Sequence, residues 1–189
     1  MLQDFAYARR LASGEAPSGR DDEALRRAEV RLERVFEVQS PAGDHLVTYV
    51  EADFGYAPPV ASELIGQWID PAITKHHQGL GFTFPLRTGT GSAIRAFAEQ
   101  AFHHRRFEHH VSRRRLGLTR EQLWLQGDLL VFYLEGDHPR DAYEEFAGST
   151  SVHDIWLRSQ LRELFSEGFE LESPLPAIRT VSDRELVLA

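Results

Sequence analysis

Gly127-Asp128-Leu129-Leu130-Val131-Phe132-Tyr133-Leu134-Glu135-Gly136-Asp137 reads as a tight turn feeding a buried strand that ends in a second turn. Eighty-four residues earlier stands Gly43-Asp44-His45-Leu46-Val47-Thr48-Tyr49-Val50-Glu51-Ala52-Asp53, identical at seven of eleven positions. Upstream of each copy the match continues at a different spacing. Arg26-Arg27-Ala28 to Val35-Phe36 aligns with Arg114-Arg115-Leu116 to Leu123-Trp124 at an offset of 88, which makes the first hairpin loop four residues longer. At the same offset of 88, Trp68 meets Trp156 and Ile69 meets Leu157. Three blocks in one order indicate an internal duplication.

Around these blocks the spacing predicts helices over 4–13, 23–31 and 60–77, the last disturbed by Pro71. It predicts strands over 35–38, 46–51, 80–86 and 122–126, and a long helix from Ala93 to Leu116. Two further helices follow, from His138-Pro139 to Ala147 and from Ser151 to Ser166, then a short strand at 169–171. Each repeat thus reads helix, strand, strand, helix, with a leading strand visible only in the second. That order predicts an α+β protein of two tandem ferredoxin-like halves, each an antiparallel sheet with helices on one face. Such sheets keep one bare apolar face, so the two are expected to pack sheet on sheet as a pseudo-dimeric barrel. The expected division is residues 1–79, 80–176 and a C-terminal arm, 177–189.

Here the chain resembles the dimeric α+β barrel superfamily, which includes antibiotic-biosynthesis monooxygenase-like and stress-responsive barrel proteins. More narrowly it is similar to a bacterial family of duplicated barrel domains that carries no assigned chemistry. The resemblance rests on Phe84-Pro85-Leu86-Arg87-Thr88-Gly89, on Arg114 to Glu121, on Trp124-Leu125-Gln126 and on Tyr133 to Asp137. Some barrels of that superfamily hold haem through a helical histidine, and others oxidise small aromatic substrates. The resemblance therefore makes His77 a candidate for haem or a metal, with core packing as its other reading because it meets Phe165 at an offset of 88, and a monooxygenase-like or haem-dependent oxidoreductase one of the functions it implies.

Composition narrows the remaining choices. With 189 residues, 42% hydrophobic and 26% charged, the chain can bury about 70% of its unfolded surface. A net charge of -8 makes nucleic acid an unexpected partner. The lack of cysteine rules out disulfides, thiolate metal sites and a cysteine nucleophile. No segment approaches the roughly 18 apolar residues of a membrane span, so a soluble, cytoplasmic protein with no membrane partner is expected.

The chemistry-bearing residues concentrate on the long helix. At 100° per residue Ile94, Phe97, Ala98 and Ala101 share one face, which continues into Arg105, Glu108 and Ser112, flanked by His104 and His109. Either these line a ligand pocket between sheet and helix, or the helix overhangs the sheet and they face water. Tyr49 and Tyr133, central in the repeated strands, are pocket or packing residues. Arg106, His110 and Arg113, beside His103 and Arg114, read as a basic outer stripe. Glu51 and Glu135 end equivalent strands and do acid–base work only if close together. Trp68, Trp124 and Trp156 read as core anchors.

Histidines occur as adjacent pairs at 76–77, 103–104 and 109–110, and helical neighbours point about 100° apart. His104 with Glu108, completed by His77 or His153, is the remaining metal geometry, and no metal is assigned. No cofactor is identified. The leading expectation is a small-molecule-binding barrel. A structural module, with a homo-oligomer as its partner, stands beside the oxidoreductase as an alternative.

Overall fold

The computed structural model describes residues 2–12, 14–20, 25, 29–39, 43–53, 55–166, 171 and 174–186, and every structural statement concerns these. Two four-stranded antiparallel sheets form the protein. The first runs β1 (Gln3–Arg10), β3 (His45–Ala52), β2 (Val30–Gln39), β8 (Ala177–Glu185), and the second β4 (Glu63–Ile69), β6 (Leu118–Gln126), β7 (Leu129–Gly136), β5 (Gln78–Pro85). Helices α1 (Gly91–Glu99), α2 (Arg106–Arg115), α3 (Pro139–Gly148) and α4 (Val152–Leu164) pack on the outer face of the second sheet. The α+β class and its two antiparallel halves are thus as expected.

The duplication is visible strand by strand. Arg34 pairs with Tyr49 as Gln122 pairs with Tyr133, and both second strands carry a bulge, at Val30/Leu32 and at Leu118/Arg120. Val38 faces His45 across six residues, whereas Gln126 faces Leu129 across two, which accounts for the four-residue difference. Each sheet takes three strands from one repeat and its fourth from the other, because β4 pairs with β6 and β8 with β2. The expected boundary at 79/80 therefore falls inside β5, and the 177–189 arm is the edge strand of the first sheet over Ala177–Glu185.

Three expectations need correction. The stretch read as a helix over 4–13 is β1: Ala6 and Ala8 face the second sheet while Tyr7 packs in a separate cluster with Leu25, Val30 and Val50. With both faces buried there is no polar alternation, and a short apolar stretch then fits either period. The stretch read as a helix over 60–77 contains β4, an edge strand largely open to solvent with a bulge between Leu64 and Gly66, followed by the turn at Pro71 and a loop. Trp68 on that strand and Trp156 on α4 are not equivalent, so the third repeat block is a coincidence. Most of the expected helix over 23–31 and strand over 169–171 lies outside the described residues, although Val30 and Arg31 open β2 and Leu171 sits in a turn.

Between the sheets the packing is close. A β-carbon on Gly81 would lie 2.5 Å from Phe36 Cδ2 and 2.8 Å from Val47 Cγ1 on the opposite sheet. Gly81→Ala should therefore cost about 1–3 kcal/mol through overpacking, read as a lower urea midpoint at unchanged m-value. Among the described residues, no helix is long and apolar enough to cross a membrane.

Candidate functional site

The long helix is interrupted. Between α1 and α2, residues Gln100–His104 form a π-turn in which the Arg105 amide donates to the Gln100 carbonyl at 2.9 Å. One extra residue rotates everything beyond it by about 100° relative to a continuous helix. The buried face runs Ile94, Phe97, Ala98, Ala101 and Phe102, then His109, Ser112, Arg113 and Leu116. His104 and Glu108, expected in the pocket, are exposed, and Arg105 lies half-buried with its guanidinium 4.2 Å above the Trp156 ring. Arg113, expected on a basic outer stripe, is buried, and half-buried His110 accepts from Trp68 Nε1 at 3.2 Å. Arg114 pairs with Asp70 and Arg115 with Asp154 and Glu145, so the stripe is largely neutralised.

Behind this face lies a cavity of about 30 Å³, room for about one or two waters. Its walls are apolar, with Phe82, Phe97, Phe102, Phe132, Tyr143 and Phe146 among them. At one end it meets His109, Arg113 and Glu121. Glu121 Oε2 accepts from Arg113 Nε and lies 2.9 Å from His109 Nε2. His153 Nε2 stands 3.3 Å from His109 Nδ1. Beside a carboxylate, His109 carries its proton on Nε2, so Nδ1 accepts from His153 Nε2–H. That tautomer leaves His153 Nδ1 as a buried acceptor with no partner among the described residues.

Ser112 donates to Asp154 Oδ1 at 2.5 Å, and Arg115 Nη2 reaches Asp154 Oδ2 at 2.7 Å. Burial and the nearby Arg113 cation depress His109, against the opposing pull of Glu121. Burial would raise Glu121, but Arg113 and His109 more than offset it and hold it at about 2. Burial, His109 and Arg113 bring His153 down to about 4. The centre is therefore a neutral imidazole pair beside an ion pair, in apolar surroundings.

A second polar centre sits between the sheets. Tyr49 and Tyr133, expected in the ligand pocket, stack on each other at 3.7 Å between centroids and 6° between planes, on the face of β7 away from the cavity. Tyr49 donates to Glu51 Oε1 at 2.7 Å, and Arg34 Nη1 donates to the Tyr133 hydroxyl at 2.5 Å. Glu51 and Glu135 are brought together, spanned by Arg120 and by His76, whose Nε2 lies 3.4 Å from Glu51 and whose Nδ1 lies 3.1 Å from Glu135. His77 follows on the loop into β5 rather than on a helix. Its backbone amide donates to Glu135 and its Nδ1 lies 2.8 Å from Asp137. Among the described residues no group of three or more His, Asp or Glu is arranged to hold a metal ion.

Sequence reasoning missed Arg113, Glu121, Asp154 and Phe102 as site residues. Glu121 was legible: two residues before Leu123 on an alternating strand, it must share the helix-packed face. Phe102 and Arg113 were not, because nothing in the local spacing announces a π-turn.

No family model matches the chain, and no curated protein matches it. Among solved structures, one described as an anthrone oxidase-like protein aligns over 88% of this chain and 86% of its own, at 11% identity and a TM-score of 0.43. A likeness of that strength carries no argument about chemistry.

Proposed function

We propose that this chain is a single-chain α+β barrel that binds a small, mainly apolar molecule in the cavity between the second sheet and the helices. The observation that supports this reading is the placement of buried His109, Arg113 and Glu121 at the end of an otherwise apolar, aromatic-walled space. Buried ion pairs contribute little to stability, and apolar residues of the same volume are often better. Ionisable groups with perturbed protonation beside a cavity are instead what binding and catalytic sites require. The ligand exceeds the present space, so binding displaces lining side chains. Phe102 is the mobile wall of this proposal, because it lies on the π-turn and packs flat over Gly66, where a β-carbon would come within 2.4 Å of its ring.

Toluene and indole serve as probes. Either should raise the melting temperature of the protein by several degrees at millimolar concentration, as mass action requires. Ala142 lines the cavity, and Ala142→Leu fills it. The shift should vanish in that variant. An equal shift in Ala142→Leu, or none in the unaltered protein, removes the proposal.

A further inference from the structure

We infer that the ligand of this cavity is an apolar carboxylate, received by Arg113 and taken up together with one proton. This deepens the reading above and rests on it.

The donors come first. Arg113 spends Nε on Glu121 Oε2, while Nη1 lies 3.4 Å from Ser112 Oγ and 3.8 Å from Asp154 Oδ1. Its Nη2 has no partner among the described residues, although the guanidinium forms part of the cavity wall. Both ring nitrogens of His109 are engaged, by Glu121 and by His153. Glu121 only accepts. The hydrogen-bonding capacity left for a ligand at this end is therefore two N–H donors on a cation, which suit a carboxylate oxygen. The aromatic walls suit an apolar remainder.

Charge balance supplies the proton. His109 is faced by Arg113 on its own helix, Glu121 on β6, and His153 and Asp154 on α4. Asp154 is in turn paired with Arg115, and Glu108 acts on His153. Within the buried part Arg113 balances Glu121, the half-exposed Arg115 meets Asp154 from the surface side and Glu145 in solvent, and the two imidazoles are neutral. A carboxylate added to this buried set leaves one uncompensated negative charge, which is costly in a dry site. Protonating His109 restores neutrality. The hydrogen bond between the two rings can relay it: a proton taken from water at His153 Nδ1 lets His153 Nε2–H pass its own to His109 Nδ1. His109 becomes an imidazolium held by Glu121, and His153 ends neutral in its other tautomer.

Isothermal titration of the full-length chain at pH 7 tests this with three probes: phenylacetate, its neutral analogue phenylacetamide, and toluene. Phenylacetate should bind at least about tenfold more tightly than the amide. Repeating the titration in phosphate and in Tris, which differ in ionisation enthalpy, should show uptake of about one proton. The affinity should fall by up to about tenfold per pH unit as pH rises. His109→Gln keeps a donor for Glu121 but cannot titrate, and should abolish the uptake. An amide bound as tightly as the acid, or carboxylate binding without proton uptake, overturns the inference. Toluene bound and phenylacetate refused overturns the inference alone, whereas failure of all three probes removes the cavity reading beneath it.

Discussion

Glu121→Leu should lower the free energy of unfolding by about 3–5 kcal/mol, measured by urea titration near neutral pH. The substitution removes the acceptor shared by Arg113 Nε and His109 Nε2. It leaves a buried guanidinium with Ser112 as its remaining hydrogen-bond partner, 3.8 Å from Asp154. The penalty is that of an orphaned charge rather than the net worth of the pair. The companion experiment follows from the same physics. Replacing all three members together, His109→Phe, Arg113→Met and Glu121→Leu, removes the charges and their desolvation cost at once. It should regain at least half of the loss and remain folded, while binding of phenylacetate disappears. If the triple variant is no more stable than Glu121→Leu, the polar trio is required by the fold itself and stops being an argument for a ligand site.

That contrast shows which parts of the protein were legible beforehand. The repeated Gly-Asp-x-Leu-Val-x-Tyr-x-Glu strands are buried hairpins whose turns and alternation are local, so their pairing and the two-sheet architecture followed from residues 43–53 and 127–137. Two of the edge strands, β1 and β4, were not legible, whereas β5 was. β4 is mostly exposed and β1 is buried on both faces, so neither shows the period of two that marks a half-buried strand. The exchange of β4 and β8 between sheets is a long-range choice that no local pattern encodes. At the site, His109 and Ser112 were found because they sit near the apolar stripe in either helical phase. Arg113 was assigned to solvent because a continuous 3.6-residue period was carried through a π-turn. Glu51 and Glu135 were found as equivalent residues. Their closeness depends on sheet-on-sheet packing, and His76, which joins them, comes from a loop that had been read as helix.

Arg120→Ala should bring a loss of similar size, about 3–5 kcal/mol, with a different response to pH. Arg120 spans the sheets, bonding Glu51 and the Tyr49 hydroxyl on one side and lying 3.3 Å from Glu135 on the other. Without it, two buried carboxylates rely on Arg34, His76, the His77 backbone amide and the tyrosine hydroxyls. Burial would raise Glu51, yet His76, Arg120 and Tyr49 hold it at about 2. Hydrogen bonds to Glu135 and then Glu51 raise His76 to about 9, against burial. In the unfolded chain a histidine titrates near 6.5 and a glutamate near 4.3. The His76 contribution is therefore complete below about pH 6.5 and is lost as pH rises through about 9, and the Glu51 contribution is complete above about pH 4.5 and is lost as pH falls toward about 2. His76 keeps 22% of its side chain in water. With solvent screening on that ring, its share is about 1–2 kcal/mol. Stability of the unaltered protein should then fall by that amount between pH 6.5 and 9, before the buried tyrosines, raised well above their usual 10, add a loss of their own. His76→Ala should flatten this alkaline slope, and Arg120→Ala should flatten the acid one, because Glu51 loses a cation that holds it ionised and its folded-state value rises toward that of the unfolded chain. Equal slopes in all three proteins would mean that His76 and Arg120 do not carry the join between the sheets, and that the stacked tyrosines and the close approach at Gly81 hold it alone.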